Sequence, residues 1–206
     1  MRPRKSKISQ GSRLRTPIRD PQQLLLRVTM VGIAPPIWRL LLVPERFTLH
    51  QLHRLLQIVF SRLDYHLYEF RIGGRRFEAP EPEATGEPST KAKLAALEFK
   101  PGSRFIYLYD FGDGWEHDIV VEDVLPMPPE NGWDWSPKLL DGDRAAPPED
   151  TGGLPGYEAL LQALRNPDHP DHEEMRAWAG PTYDPEKFDV WALDHALTLT
   201  VAWGAV

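Results

Sequence analysis

Residues 104–125 constrain the fold more than any other part of the chain, because they have the pattern of a β-hairpin. Two runs rich in aromatic and β-branched residues, FIYLY and IVV, flank a tip with the sequence Gly-Asp-Gly at positions 112–114. Glycine tolerates the positive φ values that tight reversals require, so this tip favours a turn. An antiparallel pair of strands is therefore the first element that we predict.

The register of this hairpin decides which side chains share a face. A two-residue loop at Asp113-Gly114 would place Asp110 opposite His117, whereas a three-residue loop over 112–114, with Gly114 left-handed, shifts the pairing by one residue. We predict the three-residue loop because it separates apolar from polar side chains better. Its apolar face holds Phe105, Tyr107, Tyr109, Phe111, Trp115, His117, Ile119 and Val121, and its polar face holds Arg104, Asp110, Glu116, Asp118 and Glu122, with Arg104 facing Glu122.

Three carboxylates lie close to the tip of the predicted hairpin. Asp110 and Glu116 face each other in the preferred register, with Asp113 between them. Like charges directly opposite on a sheet are destabilising, and a divalent cation, a basic side chain or solvation would compensate. Oxygen ligands suit Mg²⁺ or Ca²⁺, but solvation is the common solution at an exposed turn. His117, beside Trp115 on the apolar face, is expected to be a hydrogen-bonded core histidine rather than a ligand or a base.

Composition excludes several classes of protein. At 206 residues and 41% hydrophobic, the chain can bury one sizeable core. It has no cysteine, which excludes disulfides, thiolate-bound zinc and a cysteine nucleophile. No apolar run is long enough to span a bilayer, and the basic N-terminus has no apolar segment of a secretory signal. We therefore expect a cytoplasmic protein without membrane contacts.

The charge is distributed unevenly along the chain. Residues 1–20 hold seven of the 24 basic residues and one of the 30 acidic ones, so the remainder has 17 basic and 29 acidic residues. We predict a disordered basic arm over 1–20 and a single α+β domain over 21–206. The arm is either a solvated tail or a weak nucleic-acid-binding segment that holds phosphates by counterion release. The acidic body argues against a broad nucleic-acid surface. The basic residues of the arm are Arg2, Arg4, Lys5, Lys7, Arg13, Arg15 and Arg19.

The rest of the sequence completes an α+β fold. We predict a mainly antiparallel sheet built from hairpins, with helices packed on it and a helical C-terminal third. Thr48 is suited to cap a helix, and Gly73-Gly74 to form a two-residue hairpin turn. Residues 126–156 are too rich in Pro and Gly for regular structure, so we predict a long loop there. A last helix should begin with Asp184 as its cap and Pro185 at its first position.

Several blocks of the sequence together resemble a known family. The blocks YDFGDGWEHDIVVE and APPEDTGGLPGYEALLQAL are the most distinctive, and the match extends in order over residues 22–197. The chain resembles the Ri-plasmid ORF-three-like family, whose members are also named TnpR-family passenger proteins of insertion elements. The resemblance implies an α+β domain found in chromosomal and mobile-element contexts, without a settled activity. Many relatives read ACPPEDCGG where this chain has Ala146 and Thr151, so a role of paired cysteines is absent here.

Two functions of different classes follow from these features. The first is a non-catalytic accessory module, which docks a protein partner or assists a DNA transaction through the basic arm. The second is a divalent-metal-dependent hydrolase whose carboxylates hold the cation and orient a water molecule. We favour the module, because turn-forming Asp and Gly explain the hairpin tip without any chemistry. The hydrolase requires that the 110–118 hairpin and the 146–157 loop line one cleft. The candidate site comprises Asp110, Asp113, Trp115, Glu116, His117, Glu149 and Asp150.

Overall fold

The computed structural model describes residues 21–127 and 136–202, which form eight strands, four α-helices and a 3₁₀ turn over Leu94–Leu97. The strands are β1 (Gln22–Met30), β2 (Trp38–Pro44), β3 (Tyr68–Ile72), β4 (Arg75–Glu78), β5 (Glu87–Pro88), β6 (Arg104–Tyr109), β7 (Trp115–Pro126) and β8 (Lys138–Asp143). The helices are α1 (Leu49–Val59), α2 (Gly153–Arg165), α3 (His172–Ala179) and α4 (Val190–Ala202).

All eight strands belong to one sheet in the order β5-β4-β3-β6-β7-β1-β2-β8. Neighbouring strands are antiparallel, except for the parallel pair β4 and β5. The predicted mainly antiparallel sheet with helices packed on it is therefore confirmed. Among the described residues, no helix is both long enough and apolar enough to cross a membrane.

Local signals placed the first half of the fold well. Thr48 caps α1 in a capping box, in which its hydroxyl accepts from the Gln51 amide and the Gln51 side chain accepts from the Thr48 amide. The turn between β3 and β4 has positive φ at both Gly73 and Gly74, as a two-residue hairpin loop requires. Both predictions are confirmed.

The two faces of the sheet differ in polarity. One face carries the alternating buried residues of the central strands, such as Leu26 and Val28 of β1, and it packs against the leucines of α1. On the other face, ion pairs cross between strands: Arg71 to Glu116 at 3.0 Å and Arg104 to Asp118 at 2.6 Å. The core therefore lies between the sheet and the helices, and the charged face points to solvent.

The central hairpin has a longer loop than predicted. Tyr109 pairs with Trp115 and Phe105 with Ile119, so the loop spans the five residues 110–114 rather than three. The face assignment within the strands is confirmed, because a five-residue loop keeps the same alternation, and Gly114 has the predicted positive φ of 70°. The predictions at the tip are wrong: Phe111 is 52% exposed, Asp110 is 6% exposed, and Glu116 pairs with Leu108 instead of facing Asp110.

Arg104 does not face Glu122. In the observed register Arg104 pairs with Val120, and its guanidinium binds Asp118. Glu122 instead accepts from the Arg27 side chain of β1. Both changes follow from the shift of the pairing by two residues.

The C-terminal third is only partly helical. Strand β8 lies within the segment predicted to be a long loop, and it pairs with β2 at the sheet edge. The last helix begins at Val190, because Asp189 rather than Asp184 caps it by accepting from the Ala192 amide at 3.0 Å. The segment before it is held away from helical geometry by the hydrogen bond from the Ala145 amide to the Pro185 carbonyl. The predicted basic arm over 1–20 lies outside the described residues and remains a prediction.

Candidate functional site

The tip of the β6–β7 hairpin lies against the segment that precedes α2. The Asp113 carboxylate accepts a hydrogen bond from the backbone amide of Gly152, with 3.0 Å between Oδ2 and N. Gly153 approaches the Asp113 backbone so closely that an added Cβ would lie 2.6 Å from its carbonyl oxygen. The 110–118 hairpin and the 146–157 loop therefore converge, as a shared site requires.

Asp110 organises the hairpin tip with one of its carboxylate oxygens. Its Oδ1 accepts from the amides of Gly112 at 2.9 Å and Asp113 at 3.3 Å, which is an Asx-turn. The Gly114 amide donates to the Asp110 carbonyl at 2.7 Å, and Asp110 itself adopts a positive φ of 56°. The other carboxylate oxygen, Oδ2, is thereby left to face His66 Nε2 at 3.5 Å.

Asp150 of the converging loop approaches the same imidazole. Its Oδ1 lies 3.1 Å from His66 Nε2, and its Oδ2 accepts from the Tyr65 hydroxyl at 2.7 Å. The hydrogen bond with Tyr65 holds the pKa of the Asp150 carboxyl below its ordinary value. The same bond raises the pKa of Tyr65 to about 12. Asp150 is thus kept ionised beside the histidine.

His66, Asp110 and Asp150 form one cluster, in which the imidazole nitrogen and a carboxylate oxygen of each aspartate all lie within 4.8 Å of one another. Sequence reasoning selected both aspartates but missed His66. It stands between α1 and β3, far in sequence from its partners, so spacing carries no signal for it. Only the tertiary fold brings the three together.

Below this cluster, Glu149 and Arg62 anchor the loop to the core. Glu149 Oε1 accepts from the Leu63 amide at 2.8 Å and from the Tyr109 hydroxyl at 3.0 Å. Its Oε2 lies 3.4 Å from Arg62 Nη1, which also donates to the Pro147 carbonyl at 3.0 Å. Both side chains are almost fully buried. Glu149 is therefore a structural anchor of the loop, one residue before the exposed Asp150.

Hydrogen bonds fix the shape of the loop between Ala146 and Gly152. Ala146 is buried, and its carbonyl accepts from the Tyr183 hydroxyl at 3.2 Å. The Thr151 hydroxyl donates to the Pro148 carbonyl, which closes the turn that leads to Gly152. Side-chain and backbone hydrogen bonds thus fix the segment in this chain.

The remaining predicted residues do not join the cluster. Trp115 and His117 are buried, as expected for core residues. His117 Nδ1 donates to the Trp115 carbonyl at 3.1 Å, and burial lowers the pKa of His117 to about 3. Glu116 lies on the opposite face of the sheet with Arg71. A carboxylate cluster of Asp110, Asp113 and Glu116 is therefore not assembled.

Apolar side chains surround the cluster on the surface. Leu63, Tyr65, Leu67 and Phe111 are all exposed. Leu67 and Phe111 form walls of one open pocket of about 450 Å³, which the segment 78–84 completes. Exposed apolar groups that gather in this way are typical of interaction surfaces.

Comparisons with known proteins are consistent with this fold. A family model described as plasmid pRiA4b ORF-3-like protein matches residues 22–192. The chain is 36% identical over 183 residues to an uncharacterised protein, y4hQ, of Sinorhizobium fredii. The aligned region covers 86% of this chain and 92% of that relative. It is also similar to a protein of unknown function, MM3350, from Methanosarcina mazei Go1, whose crystal structure superposes with a TM-score of 0.74 at 36% identity. That match covers 84% of this chain and 98% of the other.

Proposed function

The chain belongs to the plasmid pRiA4b ORF-3-like family. We propose that it is a non-catalytic binding module, which docks a partner protein around the hairpin tip. One observation carries this proposal: Leu67 and Phe111, from separate segments of the chain, are 48% and 52% exposed and line the same pocket. Burying two such side chains against a partner contributes favourable free energy from apolar surface removed from water. Leu63 and Tyr65, which precede Leu67 in the connection between α1 and β3, are also exposed.

The charge around the pocket indicates the chemistry of the partner. Glu81 and Glu83 line the pocket, are exposed, and make no ion pair within residues 21–127 and 136–202. Outside the arm, the sequence has 29 acidic and 17 basic residues. A complementary partner segment carries Lys or Arg next to Leu or an aromatic residue, because this pairs the carboxylates and fills the apolar walls.

Selection from a displayed library of random peptides tests this docking surface. With the full chain as bait, we expect enrichment of peptides in which basic and large apolar residues alternate. Phe111→Ser and Leu67→Ser should abolish capture of the enriched peptides. Trp191→Ser is the matched control, because Trp191 is 76% exposed on α4 and lines neither this pocket nor the cluster. Failure to enrich such peptides, or capture that survives both pocket substitutions, would contradict the proposal.

The basic arm supports a second contact, with DNA. Its support is charge alone: seven basic residues and one acidic residue in residues 1–20. A gel-shift comparison of the full chain with a chain that begins at Pro21 tests the role of the arm. We expect salt-sensitive DNA binding that is lost on truncation. Binding that survives truncation would assign it to the folded part instead, and absence of binding would leave only the protein partner.

A divalent-metal-dependent hydrolase is the second candidate, favoured by the convergence of Asp113 and Gly152 that such an enzyme requires. The catalytic cation would be held by Asp110 and Asp150, without Glu116. Hydrolysis of bis(p-nitrophenyl) phosphate and p-nitrophenyl acetate, with Mg²⁺, Mn²⁺ or Zn²⁺, tests it. The enzyme hypothesis expects metal-dependent turnover that Asp150→Asn removes. Absence of turnover with all three metals and both substrates would contradict it.

A further inference from the structure

We propose that His66, Asp110 and Asp150 bind one divalent transition-metal cation of the zinc type. This metal site depends only on the three polar side chains, so it requires neither the docking surface nor any catalytic turnover. Its central atom is His66 Nε2, which lies 3.1 Å from Asp150 Oδ1 and 3.5 Å from Asp110 Oδ2.

The separations fit the edges of a coordination polyhedron. Zinc binds imidazole nitrogen and carboxylate oxygen at about 2.0–2.1 Å, so neighbouring ligand atoms of a tetrahedral site lie about 3.3 Å apart. The two distances from the imidazole bracket this value, and all three ligand atoms lie within 4.8 Å of one another. The two carboxylate oxygens are at most 4.8 Å apart, so a bound cation would draw them together by no more than about 1.5 Å.

Each carboxylate is already oriented by a group outside the cluster. Asp110 Oδ1 is held by the Gly112 amide and Asp150 Oδ2 by the Tyr65 hydroxyl, which leaves one oxygen of each aspartate directed at the imidazole. Hydrogen bonds to the second oxygen are how metal-binding carboxylates are commonly positioned. The arrangement therefore prepares the ligands before a metal arrives.

Charge and ligand type select the cation. With a neutral imidazole the cluster carries two negative charges, and the buried Arg62 pairs at 3.4 Å with Glu149, which is not a member of the cluster. One imidazole and two carboxylates suit Zn²⁺, Mn²⁺ or Fe²⁺, whereas Mg²⁺ and Ca²⁺ prefer oxygen ligands alone. Three protein ligands leave at least one coordination position for water or for a group of the partner. Asp150 and His66 are partly accessible to solvent, which provides a path for the cation to enter.

The same distances also fit a metal-free arrangement, in which a protonated His66 bridges the two aspartates. The two arrangements predict different binding of added metal ions. A charged imidazolium has no free lone pair, so a cation must displace its proton to bind; where the bridged, protonated arrangement is the stable one, added metal does not bind saturably at neutral pH. Direct titration therefore decides between them.

The test uses the full chain without an affinity tag, titrated by calorimetry with Zn²⁺ and, in parallel, with Mg²⁺. We expect one Zn²⁺ per chain and binding of Mg²⁺ at least tenfold weaker. His66→Gln and Asp150→Asn should each weaken Zn²⁺ binding at least tenfold, with circular dichroism unchanged. Co²⁺ in place of Zn²⁺ should give a visible absorption spectrum that His66→Gln alters, which reports nitrogen ligation directly.

His169→Gln is the matched control, because the half-buried His169 and the exposed Asp171 form another histidine–aspartate pair, at 3.9 Å. It should leave Zn²⁺ affinity unchanged. The absence of saturable Zn²⁺ binding, or affinity that survives His66→Gln, would overturn the proposal. Zn²⁺ binding without hydrolysis would retain the site and remove only the hydrolase candidate, and loss of peptide capture would remove only the docking surface.

Discussion

Asp113 and Gly152 are 39 residues apart in the sequence, yet the Asp113 carboxylate accepts a hydrogen bond from the Gly152 amide at 3.0 Å. This contact joins the central hairpin to the loop that carries Glu149 and Asp150. The neighbouring Gly153 adopts a φ of +67°, and an added Cβ would lie 2.6 Å from the Asp113 carbonyl oxygen. Position 153 therefore requires glycine for both its backbone conformation and the space beside it.

Gly153→Ala is expected to open this junction. The substitution combines strain at a positive φ with a clash against backbone, which together cost about 1–3 kcal/mol or more of unfolding free energy. Urea unfolding measures this change, and the Zn²⁺ titration should show weaker binding because Asp150 is displaced. Gly74→Ala is the matched control: its φ is +79°, but nothing lies within 4 Å of an added Cβ. Equal destabilisation by the two substitutions would contradict the close approach.

Glu149 is expected to stabilise the fold by two separate contributions, one from its charge and one from its hydrogen bonds. Glu149→Gln keeps an acceptor for the Leu63 amide and the Tyr109 hydroxyl but removes the charge beside Arg62. Both substitutions leave Arg62 buried without its counter-charge, which costs about 3–5 kcal/mol. Glu149→Ala in addition leaves the Leu63 amide and the Tyr109 hydroxyl without their acceptor, which costs about 1–3 kcal/mol more. We therefore expect the alanine variant to be clearly less stable than the glutamine variant in urea. If the two variants unfold at the same urea concentration, Glu149 does not act as an anchor.

Arg39 is expected to resist replacement by lysine. Its guanidinium is buried and donates to the carbonyls of Val59 at 2.7 Å, Asp143 at 2.9 Å and Arg144 at 2.9 Å. A single ammonium group cannot reach all three, and each buried carbonyl left without a donor costs about 1–3 kcal/mol. Thermal unfolding of Arg39→Lys should show a large loss of stability.

Arg104→Lys is the control for Arg39, because Arg104 lies at the surface with Asp118. Exposed ion pairs contribute about 0–1 kcal/mol, so this exchange should change stability little. A similarly small loss of stability at both positions would show that the carbonyls bound by Arg39 do not require the several N–H donors of a guanidinium.

Local sequence patterns predicted those structural elements that are stabilised by residues close together along the chain. The capping box at Thr48 and the turn at Gly73-Gly74 are formed by residues close to one another along the chain, so both could be recognised. The exact loop of the central hairpin could not, because Asp110 leaves the strand with a positive φ of 56° and its carboxylate accepts from the Gly112 and Asp113 amides. The turn therefore begins at Asp110, two residues before the Gly-Asp-Gly tip that the sequence pattern favours.

The candidate site was predicted only in part, because its residues come from segments that are distant along the chain. The sequence pattern predicts Asp110 as one of the carboxylates near the hairpin tip and Asp150 as part of the distinctive PPED block, and the convergence of their segments could be stated as a condition. His66 could not be selected, because nothing in its own sequence neighbourhood distinguishes it from a loop histidine. The structure places Glu116 apart from the cluster, on the charged face of the sheet with Arg71.

His117 is expected to make the protein sensitive to acid. Burial, followed by the nearby Arg62, lowers the pKa of its imidazole to about 3, and burial also lowers the pKa of His53. Below pH 6.5 the unfolded chain binds a proton at His117 and the folded chain does not, so the stability that depends on this neutral imidazole is complete above that pH and falls as the pH drops toward 3. One such group contributes about 1.4 kcal/mol per pH unit within this window.

Urea unfolding at intervals from pH 7 to pH 5 measures how steeply the unfolding free energy depends on pH. His117→Asn, which keeps a donor for the Trp115 carbonyl, should reduce the slope by about one proton, whereas His195→Gln, at an exposed position of α4, should leave it unchanged. A slope unaffected by His117→Asn would show that this imidazole does not stay neutral in the core.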